Sequence, residues 1–525
     1  MAQANWVTGL LRAQAFDHPV TELELIETHI SWVILTGPFA YKIKKPVDLG
    51  FLDFSTVEKR LACAEAEVRL NSRLAPALYL GVVGITGDVS APVMDGEGVA
   101  FEHAVKMRQF PQSAQLDRML ERNALKPEHL DAFAERLAAF HLQARSVAAD
   151  EVFGTPAAVW EPVAENFQHI LDSRVLGEDS QIVEALRRWA ADLWQSLSAV
   201  FEQRKNQGWI RQCHGDLHLR NLAWIDEQPV AFDCIEFNPN LSCIDVLCDI
   251  AFLVMDLQDR QQPQLANRFL NTYLEHTGDY RQLQVLPYYL AYRALVRAKV
   301  TAIRLDQADL GAAAAVSVRE EFNAYLQLAR SYGERVAPVL ILTCGLSGSG
   351  KTTLSTPLLE HLGAIRLRSD VERKRLHGLT KLESGRADVG EGIYGAAAHA
   401  QTYQHLHSLS AALLAGGQRV IVDATFLDPQ QRAPFQDLAA ACGCGFAIVE
   451  CVAPVAVLEQ RVTSRRGDAS DADLSVLRDQ LSRLAAGSLV SAAERALTVT
   501  VDTSKRVDVP QLADRLLSLM DAQQP

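Results

Sequence analysis

The first hundred residues contain short apolar runs of the kind that form strands. Residues 32–35 and 40–44 are two such runs, and the turn sequence Gly37-Pro38 lies between them, so the pattern predicts a hairpin. Residues 100–107 form another run with a strand pattern. Side chains alternate between the two faces of a strand, so Lys42 and Lys44 are expected to share one face.

Helical periodicity follows the predicted hairpin. Residues 55–58 read Ser-Thr-Val-Glu, a capping-box pattern that predicts the start of a helix. Long stretches with Leu, Ala and Trp at helical spacing occupy residues 127–206, and residues 240–330 have the same character. The first of these helices is expected to bury an apolar face formed by Val57, Leu61, Ala64 and Val68.

The last third of the chain alternates between the two patterns. Helical stretches separate five strand candidates, which are residues 339–344, 364–367, 419–423, 446–451 and 497–501. Such alternation predicts a parallel sheet that is covered by helices on both faces. A short polar stretch with a glycine, residues 331–335, precedes it and predicts a boundary between a domain of residues 1–335 and a domain of residues 336–525.

Composition and charge narrow the class of protein. A chain of 525 residues predicts two or three domains, and 48% hydrophobic with 22% charged residues is ordinary for a globular protein. A net charge of −13 argues against nonspecific binding to nucleic acid or anionic membranes. We expect no membrane span and no secretory signal. Nine scattered cysteines, including a predicted helix-ending turn at Cys442-Gly443-Cys444, favour reduced thiols and a cytoplasmic location.

The sequence His-Gly-Asp-Leu-His-Leu-Arg-Asn at residues 214–221 carries the groups of a phosphoryl-transfer site. Asp216 can accept the proton of a substrate hydroxyl, and Asn221 can hold a metal ion. Asp233 follows the apolar run 229–232, where a second metal ligand is expected. The spacing of an Asp and an Asn with four residues between them, and a later metal-binding Asp, is that of protein kinases.

This stretch resembles the catalytic loop of the aminoglycoside phosphotransferase and choline kinase group. The resemblance is strong over residues 213–253 and moderate over residues 30–110. It implies a bilobal, protein-kinase-like α+β domain, with a small lobe of about residues 1–106 and a large lobe of about residues 107–335. It also implies ATP and Mg²⁺ as cofactors, whereas the acceptor does not carry over.

A kinase-like small lobe needs a strand lysine for the ATP phosphates and a helix acid that positions it. Either Lys42 or Lys44 can serve, and the Ile-Lys sequence at Lys44 favours Lys44 slightly. Glu65 and Glu67 compete for the acid, and Glu67 is preferred because it stands seven residues before Leu74, as in the aminoglycoside kinase pattern.

Other polar residues near the catalytic loop have supporting interpretations. His214 is expected to support the loop, and His218 either to support it or to take part in chemistry. Glu236 can add a carboxylate near the metals. Asp245 and Asp249 are expected to brace the loop or cap helices.

A second nucleotide signature lies between the apolar run 339–342 and a helical stretch. Its glycines let backbone N–H groups cradle phosphates, Lys351 reaches the terminal phosphates, and the Thr352 hydroxyl can ligate magnesium. The candidate nucleotide-binding residues are Gly345, Leu346, Ser347, Gly348, Ser349, Gly350, Lys351, Thr352 and Thr353.

Two acids and a group of arginines complete this second candidate site. Asp370 ends the second strand candidate and is expected to face an acceptor hydroxyl, while Asp423 ends an apolar strand and is expected to orient magnesium. Arg461, Arg465 and Arg466 resemble the lid of gluconate kinase-like and polynucleotide kinase-like P-loop proteins, which implies that they contact the transferring phosphoryl group. The basic residues 373–375 either hold an anionic acceptor or form a solvated face.

The whole chain resembles bacterial proteins in which an aminoglycoside phosphotransferase-like domain is fused to a P-loop ATP-binding domain. The sequence therefore predicts a bifunctional phosphotransferase that transfers the γ-phosphate of ATP to hydroxyl groups of small molecules. The alternative is one active kinase whose P-loop half is a regulatory ATPase.

Overall fold

The computed structural model describes most of the chain and divides it into two compact units. The described residues are 5–48, 50, 52–173, 176, 179–306, 311–383, 392–464, 469–483 and 489–523. The first unit comprises residues 1–165 and 201–256, and the second comprises residues 166–200 and 257–525. The boundary predicted near residues 331–335 lies inside the second unit.

The first unit is built on an antiparallel sheet of six strands in the order β1-β2-β3-β6-β4-β5. Three of them, β2, β3 and β6, confirm the strands predicted from the sequence. The other three were not predicted, and the longest of these, β4, contains three glycines, which have low strand propensity. The bounds are Glu24–Glu27 (β1), Ser31–Leu35 (β2), Phe39–Lys44 (β3), Tyr79–Asp88 (β4), Ala91–Met94 (β5) and Glu102–Arg108 (β6).

The helix α2, Val57–Asn71, packs against β4 and β6 on the face of the sheet to which Lys42 and Lys44 project. Its cap is Thr56, whose hydroxyl accepts the N–H of Lys59, so the cap lies one residue after the predicted Ser55. Of the predicted apolar face, Ala64 is buried and Val68 packs half-buried against the same apolar cluster, whereas Val57 and Leu61 are not fully buried. The residues that α2 buries are Arg60, Ala64, Glu67, Leu70 and Asn71.

This polar stripe is tolerated because its charges are paired. Arg60 binds Glu102 at 2.6 Å, and Glu67 binds two lysines, so each buried charge has a partner. On the opposite face of the sheet, Tyr41 and Ile43 lie in an apolar cluster with Trp32. Alternation along β3 therefore sends its lysines to one side and its core residues to the other.

The remaining elements before residue 260 are mainly helical, as predicted for residues 127–206. Two small antiparallel pairs, β7 with β10 and β8 with β9, lie in the first unit. The bounds are Asn5–Gly9 (α1), Leu116–Glu121 (α3), Pro127–Gln143 (α4), Pro156–Asp172 (α5), Ser180–Asn206 (α6), Ile210–Gln212 (β7), Leu222–Ile225 (β8), Gln228–Ala231 (β9), Pro239–Ser242 (α7), Cys243–Asp245 (β10) and Val246–Asp259 (α8).

The second unit contains the predicted parallel sheet. Five strands lie in the order β12-β13-β11-β14-β15, and all four neighbouring pairs are parallel, which confirms the α/β class. The bounds of the strands are Val339–Cys344 (β11), Ile365–Arg368 (β12), Val420–Asp423 (β13), Gly445–Val452 (β14) and Thr498–Asp502 (β15).

Helices cover this sheet, and three long ones precede it in the same unit. An apolar cluster that includes Ile341, Leu358, Val449 and Leu516 joins β11 and β14 to two of the covering helices. The bounds are Pro263–Thr277 (α9), Leu286–Leu305 (α10), Ala312–Ser331 (α11), Lys351–Leu362 (α12), Ser369–Leu376 (α13), Ala396–Ala415 (α14), Pro429–Cys442 (α15), Val455–Ser464 (α16), Leu474–Arg483 (α17) and Val509–Asp521 (α18).

Two smaller predictions can also be compared with the structure. Gly443 caps α15 with φ of 61°, so Cys442-Gly443-Cys444 is the helix-ending turn that was predicted. Within the described residues, no helix has the length and apolar character needed to cross a membrane.

Candidate active sites

The first candidate site is centred on two lysines that share one acid. Glu67, which is fully buried in α2, accepts from Lys42 at 2.8 Å and from Lys44 at 2.7 Å. Glu65, the competing acid, is exposed. Lys42 also contacts Asp233, and Lys44 also contacts Glu236. The structure therefore brings together five of the residues that the sequence singled out, and it places Glu236 as a partner of Lys44.

The ionisation of this cluster follows from its pairing. Burial alone would lower the pKa of Lys42, but Asp233, Glu67 and Glu236 outweigh burial and raise it. Burial also acts against an ionised Glu67, yet Lys42 and Lys44 bring the pKa of Glu67 down to about 2. Glu236 differs from Glu67, because burial raises the pKa of Glu236 despite its contact with Lys44.

The two lysines differ in exposure. Lys42 has 13% of its side chain exposed, and its partner Asp233 has 46% exposed. Lys44 is 3% exposed and lies between Glu67 and Glu236, which are 0% and 4% exposed. A ligand can reach Lys42 more easily than Lys44. The geometry thus favours Lys42 for contact with phosphate, in contrast to the slight preference for Lys44 from sequence.

Asp233 is held in a conformation that few residues adopt. Its φ is 61°, in the left-handed region that Asp tolerates better than most residues. Its N–H donates to the Tyr79 hydroxyl at 3.1 Å, and the N–H of Cys234 donates to the Asn71 side chain at 2.9 Å. Backbone hydrogen bonds to β4 and α2 therefore fix the segment that follows β9, and Asp233 projects from a defined position.

Asp216 and Asn221 lie together in the catalytic loop. The Asn221 amide nitrogen donates to the Asp216 carboxylate at 2.9 Å and to its carbonyl at 3.0 Å. The amide oxygen of Asn221 is thus the atom that can serve a metal. His218 lies 3.3 Å from the same carboxylate, which is 35% exposed. Asp216 is oriented by neighbours and remains open to a ligand.

The supporting interpretations of His214, Asp245 and Asp249 are confirmed. His214 donates from Nε2 to the Phe232 carbonyl and accepts the Asp216 N–H at Nδ1, and burial lowers its pKa, so it is neutral. Asp249 accepts the N–H groups of His214 and Gly215. Asp245 pairs with Arg204 at 2.6 Å and accepts the Leu247 N–H at the start of α8.

The donor set of this site fits magnesium. Asn221 and Asp233 offer amide and carboxylate oxygens, the hard ligands that Mg²⁺ prefers. The hydrogen bonds that Tyr79 and Asn71 accept from Asp233 and Cys234 could not be predicted from the sequence, because no motif marks these two residues.

The second candidate site begins where β11 leads into α12. Gly345, Gly348 and Gly350 have φ of 149°, 79° and 82°, a region that disfavours other residues. A Cβ on Gly345 would come within 2.5 Å of the Cys451 carbonyl oxygen. The loop is thus a glycine-dependent turn that ends at a helix N-terminus, an arrangement that fits phosphate.

The side chain of Lys351 folds back over this loop and is held there by the loop's backbone carbonyls. Its ammonium group donates to the carbonyls of Gly345 at 2.9 Å and Leu346 at 2.8 Å. Burial lowers the pKa of Lys351. Thr352 and Thr353 follow on the first turn of α12, and both line the adjoining cavity.

Asp423 lies buried at the end of β13. Thr343 donates to one of its carboxylate oxygens at 3.3 Å and Ser355 to the other at 3.1 Å. Ser355 stands four residues after Lys351 on α12, so one helical turn connects the phosphate loop to this carboxylate. The sequence located Asp423, but the hydroxyl groups that hold it were missed.

Asp370 lies in the same cavity, which has a volume of about 2000 Å³ and also includes Lys351 and Asp423. Arg373 donates to Asp370 at 2.9 Å and stacks over the Tyr394 ring. Arg373 and Lys374 are 6% and 1% exposed. The interpretation of residues 373–375 as a solvated basic face is therefore wrong for these two residues.

The lid region is only partly described. Arg461 donates to the carbonyls of Gly348 at 3.3 Å and Thr503 at 2.7 Å, so in this structure it braces the phosphate loop. Arg465 and Arg466 lie outside the described residues. Gln480 of α17 accepts the Ser347 N–H at 2.8 Å, a contact that no sequence pattern marked.

Comparison with known proteins agrees with this geometry. Residues 110–286 match the phosphotransferase enzyme family, and residues 340–486 match the AAA domain family. Both families generally use ATP and Mg²⁺. The fold and the two sites define a kinase-type transferase in which a phosphotransferase-like domain is fused to a P-loop nucleotide-binding domain.

A relative shows the particular family. The uncharacterized protein Rv2004c of Mycobacterium tuberculosis is 32% identical over 465 residues, which are 87% of this chain and 90% of that protein. The chain belongs to the same family as this mycobacterial protein.

Two solved structures resemble parts of the chain. An ethanolamine kinase from Plasmodium vivax covers 59% of this chain and 84% of its own, with 13% identity and a TM-score of 0.37. A gluconokinase from Sinorhizobium meliloti covers 36% of this chain and 94% of its own, with 21% identity and a TM-score of 0.25. The family assignment rests on the sequence matches.

The two lysines of the first site are expected to respond differently to replacement. In a Lys351→Met background, Lys42→Met should weaken Mg·ATP binding roughly 10- to 100-fold, because one hydrogen bond to a charged group is lost. Lys44→Met should instead destabilise the fold by about 3–5 kcal/mol, since it leaves Glu236 buried without its partner. Calorimetry with Mg·ATP and thermal melts separate the two effects. Normal binding by Lys42→Met with weak binding by a stable Lys44→Met would restore the preference for Lys44.

Proposed function

We propose that the protein is a bifunctional phosphotransferase, in which each site transfers the γ-phosphate of ATP to a hydroxyl group of a small molecule. The observation that supports this most is the presence, at each site, of an accessible carboxylate beside a phosphate-binding lysine or a metal-binding set. These carboxylates are Asp216, held by Asn221, and Asp370, in the cavity with Lys351 and Asp423. A site that only binds nucleotide has no need of either.

At the first site, Asp216 orients the acceptor hydroxyl and takes its proton as the hydroxyl oxygen bonds to the γ-phosphorus of ATP. The bond between that phosphorus and the β–γ bridging oxygen breaks in the same step, and ADP leaves. Asn221 fixes the carboxylate for this task, and His218 lies against it. Lys42, positioned by Glu67, contacts the phosphates, and Asp233 and Asn221 hold Mg²⁺. When bound, Mg²⁺ neutralises the charge that develops on the phosphate oxygens.

At the second site, the loop from Gly345 to Gly350 binds phosphate through its N–H groups. Lys351 exchanges the two carbonyls that it now contacts for phosphate oxygens, which are stronger acceptors because they are charged. Asp370 accepts the proton of the acceptor hydroxyl, and Asp423 and Thr352 hold Mg²⁺. We place the reactions in the cytoplasm, a location with which nine scattered cysteines, an odd number, agree.

A regulatory ATPase remains the second candidate for the P-loop half, and one observation favours it. Groups that would meet nucleotide are satisfied within the protein. Gln480 accepts from Ser347, Lys351 donates to its own loop, and Arg461 donates to Gly348. Such contacts suit a regulatory protein that has different conformations with and without bound nucleotide.

The experiment is a metabolite-extract screen for phosphorylated products, with full-length protein and its variants. We expect two groups of products: one lost in Asp216→Asn, the other lost in both Asp370→Asn and Lys351→Met. Asp370→Asn should retain slow ATP hydrolysis, because Asp370 matters only when an acceptor hydroxyl is deprotonated. Loss of the base should lower transfer roughly 10²- to 10⁴-fold.

Asp428→Asn is the matched control. Asp428 lines the same cavity, but its carboxylate caps α15 by accepting the Gln430 N–H, a role that Asn can fill. Products of the second group should persist in this variant. If no product depends on Asp370, and a partner protein stimulates hydrolysis equally in parent and Asp370→Asn, the regulatory ATPase is the correct function of this half.

A further inference from the structure

The helix α9 lies along the edge strand β12 of the parallel sheet. Asn271 of α9 accepts the N–H of Arg366 at 2.7 Å and donates to the carbonyl of Ala364 at 2.9 Å. One side chain thus supplies the hydrogen bonds that a neighbouring strand would make. The helix belongs to residues 110–286, which match the phosphotransferase family, and lies outside residues 340–486, which match the AAA domain.

One helical turn after Asn271, a single carboxylate gathers several cations. Glu275 is 3% exposed and binds Arg366 at 2.6 Å, Lys381 at 3.0 Å and Arg368 at 3.6 Å. Its carbonyl accepts from Arg375. Buried arginines without a counter-charge are costly, so the position of β12 depends on this acid.

Arg366 carries the effect of Glu275 into the P-loop site. The same guanidinium donates to Ser355 at 3.1 Å and to Thr356 at 2.7 Å, both on α12. Ser355 in turn donates to the Asp423 carboxylate at 3.1 Å. A continuous chain of hydrogen bonds therefore runs from Glu275 to the proposed magnesium ligand.

Arg368 is the second residue through which Glu275 can influence the P-loop site. Arg368 lines the cavity two residues before Asp370 and is 7% exposed. The carboxylate of Glu275 lies 3.6 Å from this guanidinium and supplies its negative charge. Loss of Glu275 would remove this counter-charge from a guanidinium that lines the cavity.

We infer that Glu275 is a positioning residue for the P-loop site, and that it tunes the affinity of that site for magnesium from outside the AAA domain. This inference rests on the proposed function of the P-loop site. Glu275 touches neither Asp423 nor the phosphate loop in the contacts described, and it acts through Arg366 and Arg368. The site is complete only with a helix from the preceding part of the chain.

The test measures how Mg²⁺ changes ATP binding at this site. Full-length protein carrying Lys42→Met, which weakens the first site, is titrated with ATP by calorimetry at increasing Mg²⁺. The ATP binding that is lost when Lys351→Met is added belongs to the P-loop site. Glu275→Gln should raise the Mg²⁺ concentration at which half of the Mg²⁺-dependent gain in ATP affinity is reached. The increase should be roughly 10- to 100-fold, which is the usual cost of losing a residue that supports a metal ligand. ATP binding without Mg²⁺ should change far less.

Two further variants make the result specific. Glu275→Asp keeps the charge but shortens the side chain, and should give an intermediate shift. Glu360→Gln is the matched control. Glu360 also joins α9 to α12, through Arg268 at 3.0 Å, but no bond described connects it with Asp423. It should leave the Mg²⁺ dependence unchanged.

The outcomes are distinguishable. A folded Glu275→Gln protein whose Mg²⁺ dependence stays within twofold of the parent overturns the inference. If Glu275→Gln does not fold, Glu275→Asp decides in the same way, and an unchanged Mg²⁺ dependence overturns the inference again. If the parent shows no ATP binding that depends on Lys351, the proposed function of the P-loop site fails instead.

Discussion

Asp216→Asn is expected to lower the kcat of phosphotransfer at the first site roughly 10²- to 10⁴-fold, while Mg·ATP binding persists. An amide cannot accept the hydroxyl proton as a carboxylate does. The change keeps the size of the side chain, and Asn221 can still hydrogen-bond to its oxygen. The measurement is kcat with an acceptor from the metabolite screen, together with the calorimetric Kd for Mg·ATP.

The control for this prediction is Asp226→Asn. Asp226 lies in the turn between β8 and β9, its side chain is 72% exposed, and its φ is 50°, a value that Asn adopts readily. It should leave kcat unchanged. An Asp216→Asn protein that retains near-parental kcat would remove Asp216 from the chemistry and direct attention to His218.

Lys351→Met is expected to abolish both transfer and hydrolysis at the P-loop site. The ammonium group is the side-chain charge that this loop brings to the phosphates. Removing one preorganised group of this kind costs on the order of 10²–10³ in rate even when the lost donor is uncharged. Transfer that survives in Lys351→Met but not in Asp216→Asn is assigned to the first site. If the variant that combines Lys351→Met with Asp216→Asn hydrolyses ATP at the parental rate, the role of Lys351 is contradicted.

The same lysine predicts a pH dependence. Burial lowers the pKa of Lys351 in the free protein, whereas bound phosphate favours the charged form. Below that lowered pKa the lysine is already protonated, so ATP affinity at the P-loop site should not depend on this group. As pH rises through the lowered pKa, affinity should fall before the usual lysine range is reached. Lys351→Arg should move the fall to higher pH, because guanidinium stays protonated.

Much of the fold could be predicted from periodicity. Every strand candidate in the last third of the chain is a strand, and the apolar runs that begin β11 and β13 are typical of buried parallel strands. The polar face of α2 was not predictable in this way. Its buried Arg60 and Glu67 are stabilised by partners on other elements, and a helical pattern contains no information about such partners.

The candidate sites were predictable where a motif fixes the chemistry. The sequence singled out Asp216, Asn221, Asp233 and the phosphate loop because phosphoryl-transfer motifs place such residues at those spacings. It did not rank Lys42 above Lys44, since both occupy the same face of β3 and only the partners differ. Glu275 escaped notice for a related reason: it lies about 90 residues before the arginines that it neutralises.

The hydrogen bonds between Asn271 and β12 bear on how this gene fusion can evolve. A P-loop part without α9 would need its own protection for that strand edge, such as charge, a bulge or a covering loop. Here a helix encoded upstream performs this task, so the downstream part no longer needs such protection. Splitting the gene would expose a strand edge and two uncompensated arginines at once. The two parts are thus kept on one polypeptide by structural dependence.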